Sequence, residues 1–233
     1  MSLIRKAKRS NIPLKLAIVG GPGSGKSYSS LLLAKGLMGD SFESVCMLDT
    51  ENESGDLYDD IDGSTEETTY NILPFKGPWP AERYIKAIEI CEQQGIKCLI
   101  IDSLSHEWSK DGGVVDSHSK MTGNSFVNWA KAKDGHKKLM DKILQSKMHI
   151  ICTMRSKVEY VIEQNEKGKA TPRKVGTKAI QEDDSPYEFT IVFDVNFDHN
   201  AVVSKDRSQK FSQDVPFRIG KDTGDIIRKW NKM

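Results

Sequence analysis

Eight consecutive residues, Gly20-Gly21-Pro22-Gly23-Ser24-Gly25-Lys26-Ser27, narrow the folds open to this chain more than any other segment. They match the phosphate-loop pattern G-x-x-x-x-G-K-[ST]. The apolar run 14–19 (LKLAIV) leads into them and predicts a buried strand. Leu31, Leu32 and the stretch 34–37 follow at helical spacing, with Gly39 as a stop signal. A buried strand passing through glycines into a helix has a physical use. The glycines let successive backbone N–H groups turn inward, and the helix start adds its positive dipole end, so the loop cradles an anion. Lys26 is placed to contact the β- and γ-phosphates, and the Ser27 hydroxyl to ligate Mg²⁺. With Tyr28, residues 20–27 form the expected cofactor set for ATP and Mg²⁺.

The strand-and-helix alternation continues. Short apolar runs at 45–48 and 98–101 read as buried strands, 70–75 as a third, and 148–152 as another. Pro80 opens a helix to Gln94, with Gly95 at its C-cap, and apolar spacing from Phe126 to Leu144 marks a later helix despite Gly135. Val158, Tyr160 and Ile162 alternate ahead of turn residues 165–168, which predicts a projecting hairpin. Phe189, Ile191, Phe193, Val195 and Phe197 alternate, and residues 201–204 return, closing the chain with a second hairpin. The expected architecture is α/β: a mostly parallel central sheet with helices on both faces and a C-terminal antiparallel β-hairpin. Residues 1–11 read as a flexible basic lead-in and 12–233 as a single domain.

Composition removes other classes. Hydrophobic residues are 37% and charged residues 29% of 233, which excludes collagen-like and largely disordered chains. The apolar runs are strand-sized, well below the roughly 18 residues a membrane helix needs. No signal-length apolar region follows Lys6, Lys8 and Arg9, so the expected location is cytoplasmic. Cys46, Cys91, Cys98 and Cys152 form no CxxC pair, so neither zinc site nor disulfide framework is expected.

Two carboxylates complete the expected site. Asp102 ends the strand 98–101, and in a doubly wound sheet ligands collect at the carboxyl ends of strands, so Asp102 is placed to hold Mg²⁺. Glu51 follows the strand 45–48 at the same edge, where a carboxylate can orient an attacking water.

At this point the chain resembles the RecA-like ATPases, and most of all the compact AAA-family nucleotide-binding proteins of phages and prophages. Asp49-Thr50-Glu51 matches their D-x-E motif, whose glutamate is the base; Tyr58, seven residues on, matches a tyrosine that stacks on adenine. Lys205-Asp206-Arg207 resembles the K-x-R element that reaches the γ-phosphate of a neighbouring subunit, where a cation stabilises transition-state charge. Thr153 or Arg155 takes the position of the family's polar sensor, without the usual glutamine. The resemblance implies a homo-oligomer, ring or filament, in a bacterial host cytoplasm. It also implies action on single-stranded DNA in recombination, annealing or replication, alongside an ssDNA-binding protein or helicase.

Between Arg155 and Lys178, Arg155, Lys157, Lys167, Lys169, Arg173, Lys174 and Lys178 stand against Glu159, Glu163 and Glu166, a local excess of +4 in a chain of net +1. That concentration on a hairpin suits a phosphate backbone, and equally describes a solvated loop. Trp108, Phe126 and Trp129 are candidates to stack on bases, although Phe126 and Trp129 share a helix face and are expected in the core. Two other classes stay open: a small-molecule or nucleotide kinase, with 155–173 as its lid, and a slowly hydrolysing loader.

Overall fold

The computed structural model describes residues 6–9, 11–164 and 170–233, with the side chains of 160–175 outside that description. Its centre is strand β1, Lys15–Gly20, buried along its whole length. Period-two alternation assigns Leu16 and Ile18 to one apolar cluster and Ala17 and Val19 to the other. The first cluster takes in Leu31, Leu33 and Leu37 of helix α1 (Lys26–Leu37) and Ile227 of α6 (Lys221–Asn231). The second takes in Tyr84 and Ile88 of α2 (Ala81–Gln93), with Leu139 and Ile143 of α5 (Ser125–Gln145). Two helical layers thus sandwich one sheet.

The remaining strands are β2 (Val45–Asp49), β3 (Asn71–Pro74), β4 (Cys98–Asp102), β5 (His149–Gln164), β6 (Ala170–Ala179), β7 (Ile191–Val195) and β8 (Ala201–Asp206). Their order is β3-β2-β4-β5-β1-β7-β8, with β6 paired to β5 outside that path. Pairings from β3 through β7 are parallel; β5–β6 and β7–β8 are antiparallel. The expected α/β architecture and terminal hairpin are present.

Register brings the chemistry to one edge. Gly20 pairs with Arg155, Asp49 with Asp102, and Ile101 with Cys152, so Thr153 stands level with Asp102.

Several details differ from the sequence expectations. The chain ends on helix α6 instead of on the hairpin. This helix packs against α1, where Gly36 and Gly224 let the backbones approach: a Cβ on Gly224 would stand 2.6 Å from the Leu37 nitrogen. Strand β5 runs well past Cys152, because pairing with β6 continues its ladder beyond the sheet. Lys205 and Asp206 lie within β8 and not after it. Short helices α3 (Ser105–Ser109) and α4 (Val114–Ser119) fill the segment after β4. Gly135 leaves α5 unbroken; a Cβ there would stand 3.3 Å from the Ala81 Cβ, so this glycine sits where α5 meets α2. Among the described residues no helix is long and apolar enough to cross a membrane.

Candidate functional site

The loop between β1 and α1 is shaped by its glycines. Gly23 and Gly25 have φ of 71° and 86°, a region that side chains with a Cβ rarely adopt. Helix α1 begins at Gly25 with no side-chain cap and no acidic residue in its first turn. An ordinary helix start supplies such an acceptor to its free amides; here that role falls to whatever anion the loop holds. Lys26 Nζ donates to the Gly21 carbonyl at 2.8 Å, folding the ammonium back over the loop. Burial lowers the Lys26 pKa, while Asp102 and Glu51 oppose that shift and Arg155 adds to it.

Asp102 is 2% exposed. Burial raises its pKa, while hydrogen bonds from the Ser27 and Thr153 hydroxyls act the other way. A buried carboxylate beside a hydroxyl, at the mouth of an anion loop, is a hard-oxygen donor pair of the kind Mg²⁺ takes. Asp102 and Ser27 therefore fit that ion.

The end of β2 is tied to the end of β4. Thr50 donates through its N–H to the Asp102 carbonyl at 2.7 Å, and its hydroxyl accepts the Ser103 N–H at 2.7 Å. Asp49 accepts the N–H groups of Glu51 at 2.7 Å and Gly55 at 3.0 Å, which turns the chain after β2. Glu51 emerges toward Arg155, which donates through Nε to one carboxylate oxygen at 3.1 Å and through Nη2 to the other. His106 Nε2 lies 3.7 Å from the same carboxylate, with its pKa lowered chiefly by burial. Of the two sensor candidates, Arg155 has Glu51 as its partner and Thr153 has Asp102.

Two residues beside the loop escaped the sequence reading. The turn between β7 and β8 lies over the loop: His199 Nδ1 donates to the Ser24 carbonyl at 3.1 Å, and the Phe197 ring sits against Gly21 while staying 72% exposed. Only the adjacency of β7 and β1 brings them there, and no local pattern signals it.

Together, an anion loop, a lysine and two carboxylates occupy one edge of a parallel sheet. A family model described as an AAA domain matches residues 12–217. The chain belongs to the AAA domain family. It carries a P-loop NTPase domain. A crystal structure of a KaiC-like protein from the hyperthermophilic archaeon Pyrococcus horikoshii OT3 superposes with a TM-score of 0.52 at 14% identity, covering 91% of this chain and 88% of that one. No curated protein matches the chain in sequence.

Other candidates of the AAA domain have contacts of their own. Tyr58 meets Tyr28 edge-to-face, with ring centroids 6.0 Å apart, and leans on the α1-side core. Lys205 donates to the Pro186 carbonyl at 3.1 Å and to that of Tyr187, and Arg207 to the latter at 3.4 Å. Both cations thus rest on their own chain's turn at 185–187. On the β5–β6 hairpin, Lys157 and Lys178 face each other across the ladder, and Lys178 also pairs with Asp183 at 2.7 Å. Lys167 and Lys169 lie outside the described residues, as do the side chains of Arg173 and Lys174.

The aromatic segment corrects an expectation. Phe126 is 86% exposed, and Trp129 stacks on His118 at 3.9 Å instead of entering the core. Spacing places both on one helix face, but at the start of α5 that face meets only part of a partner: Trp129 is half-buried against His118 of α4, and Phe126 stands open to solvent. Trp108, Phe126 and Trp129 line a cavity together with Lys133, Glu182, Asp183 and Asp184, where Glu182 pairs with Lys133 at 2.6 Å and Asp183 with Lys178 at 2.7 Å.

Proposed function

We propose that this AAA domain binds ATP through residues 20–28 and hydrolyses it, with Glu51 as general base and Lys26 on the phosphates. The observation that carries this reading is the convergence of Lys26, Ser27, Asp102 and Glu51 on one sheet edge, where the Lys26 ammonium feels both carboxylates. Water oxygen bonds to the γ-phosphorus, the bond from that phosphorus to the bridging oxygen breaks, ADP leaves, and the water proton passes to the Glu51 carboxylate. Mg²⁺ held by Ser27 and Asp102 would neutralise phosphate charge. Tyr28 and Tyr58 offer an aromatic surface beside the helix start for the base. Thr153 supports Asp102 through its hydroxyl.

Residues 12–233 act in this reading as one domain of a homo-oligomer. Lys205 and Arg207 leave their own turn to reach a neighbour's γ-phosphate. Single-stranded DNA follows the β5–β6 hairpin, through Lys157 and Lys178 and through Lys167, Lys169, Arg173 and Lys174. The setting is the recombination, annealing or replication chemistry of a phage-type ATPase in a host cytoplasm, with a helicase or ssDNA-binding protein as its associate. A slowly hydrolysing loader is a second reading, favoured by the engagement of Glu51 with Arg155.

The test is ATP turnover measured against protein concentration, with and without ssDNA, at low and high salt. Turnover that rises with concentration and with ssDNA, and loses the DNA response at high salt, supports the reading. Consumption of ATP that needs a small-molecule acceptor instead would replace it with a kinase.

A further inference from the structure

We infer that Arg155 is a positioning residue that restrains Glu51 in a resting arrangement, and that an incoming phosphate oxyanion frees the carboxylate by drawing the guanidinium away. The inference rests on the ATPase reading above and names the regulation of the same site.

Three observations carry it. Arg155 engages both oxygens of Glu51 at once, through Nε and Nη2. Such a two-point grip fixes the direction of the carboxylate as well as its charge. Arg155 also pairs in register with Gly20, the first residue of the phosphate loop, and its charge acts on Lys26 of that loop. Finally, Arg155 is the last residue of β5 to pair with the central sheet; from Ser156 onward the strand pairs only with β6. Its backbone is pinned on both sides, with its N–H donating to Ser105 Oγ at 2.9 Å and its carbonyl accepting the Ile180 N–H at 2.7 Å.

The guanidinium side chain is 37% exposed and the Glu51 carboxylate 25%. A pair so open to solvent exchanges partners readily, because surface ion pairs are held weakly. Phosphate is the competing anion for arginine, and it offers the same two-point geometry. Two sources can supply it: the γ-phosphate of ATP, or a polynucleotide backbone lying along the hairpin. Departure of Arg155 toward either leaves Glu51 free to accept a water proton. His106, 3.7 Å from the carboxylate and itself buried, remains beside it in both arrangements.

The experiment compares wild type, Arg155→Gln and Arg155→Lys as full chains, with thermal unfolding run alongside to establish folding. Turnover is measured with ATP alone and with ATP plus oligo-dT, each across a substrate series so that kcat and KM separate. If the polynucleotide is the releasing anion, Arg155→Gln raises kcat in ATP alone by about three- to tenfold, the range for freeing one half-exposed ion pair. Its response to oligo-dT then shrinks correspondingly, and Arg155→Lys, charged but unable to grip two points, falls between. If the γ-phosphate is the releasing anion, the wild-type kcat is unaffected by oligo-dT. Arg155→Gln then raises KM, because a phosphate contact is lost, while kcat holds or rises. A fall in kcat in both Arg155 variants, with folding intact, overturns the inference and makes the pair a productive alignment of Glu51. Kinetic constants identical to wild type overturn it as well. Absence of turnover in wild type under every condition overturns instead the ATPase reading beneath it.

Discussion

Asp49 accepts the backbone N–H of Glu51 at 2.7 Å, and this contact sets where the second carboxylate of the site emerges. Asp49 itself is 2% exposed, and its other oxygen takes the Gly55 N–H at 3.0 Å. The first acidic residue of D-x-E thus shapes the loop, leaving the second to face the reacting groups. Asp49→Ala removes both acceptors and leaves two amides without them. A fall in turnover of about tenfold or more is expected, since small displacements of a catalytic group cost rates of this order, with ATP affinity changed far less. Equal losses in affinity and turnover would count against a role confined to Glu51.

His149 supplies a pH dependence of stability that is independent of the nucleotide. It is 5% exposed, and its Nδ1 accepts the Leu14 N–H at 3.1 Å. Burial, helped by the Lys15 charge, pushes its pKa from 6.5 down to about 4. Between those values the unfolded chain binds a proton that the folded chain refuses. Its contribution is therefore complete above pH 6.5 and is lost as pH falls toward 4, by up to about 3 kcal/mol. Urea unfolding of wild type should weaken between about pH 7 and about pH 5 more steeply than that of His149→Asn, which keeps an acceptor without titrating in that window. Parallel slopes would show that other groups dominate.

Much of the sheet was legible because β1, β2 and β4 are short, continuous apolar runs, which parallel strands buried on both faces require. The phosphate loop was legible because its geometry is local. Helix α6 was not: Gly220 and Gly224 break the pattern, and Ile226, Ile227 and Trp230 sit among charges. The exposure of Phe126 was not legible either, since helical spacing defines a face without saying whether anything covers it. The Glu51–Arg155 pair spans 104 residues and exists only because β2, β4 and β5 lie side by side.

Gly224 tests the packing of the missed helix. A Cβ there would meet the Leu37 nitrogen at 2.6 Å and the backbone carbon of Gly36 at 2.9 Å, and backbone cannot step aside as a flexible side chain does. Gly224→Ala should lower stability by about 1–3 kcal/mol through overpacking, despite alanine's better helix propensity. A higher melting temperature in the variant would mean that α6 shifts freely on α1.

Arg207→Ala separates assembly from binding. Arg207 is exposed, and among the described residues its guanidinium donates to the Tyr187 carbonyl at 3.4 Å, so its removal should leave folding unchanged. Nucleotide affinity should also be retained, while the concentration-dependent part of turnover falls by about 10³-fold, the scale of a cation supplied by a neighbour. Wild-type turnover at concentrations where the protein assembles would remove Arg207 from that role.

The central claim concerns what Glu51 does, and it is read most directly by measuring ATP binding and single-turnover hydrolysis on the same preparations of wild type and Glu51→Gln. Retained binding with hydrolysis reduced at least about 10²-fold, the scale of a lost general base, is the expected result. Hydrolysis by Glu51→Gln at the wild-type rate would contradict it.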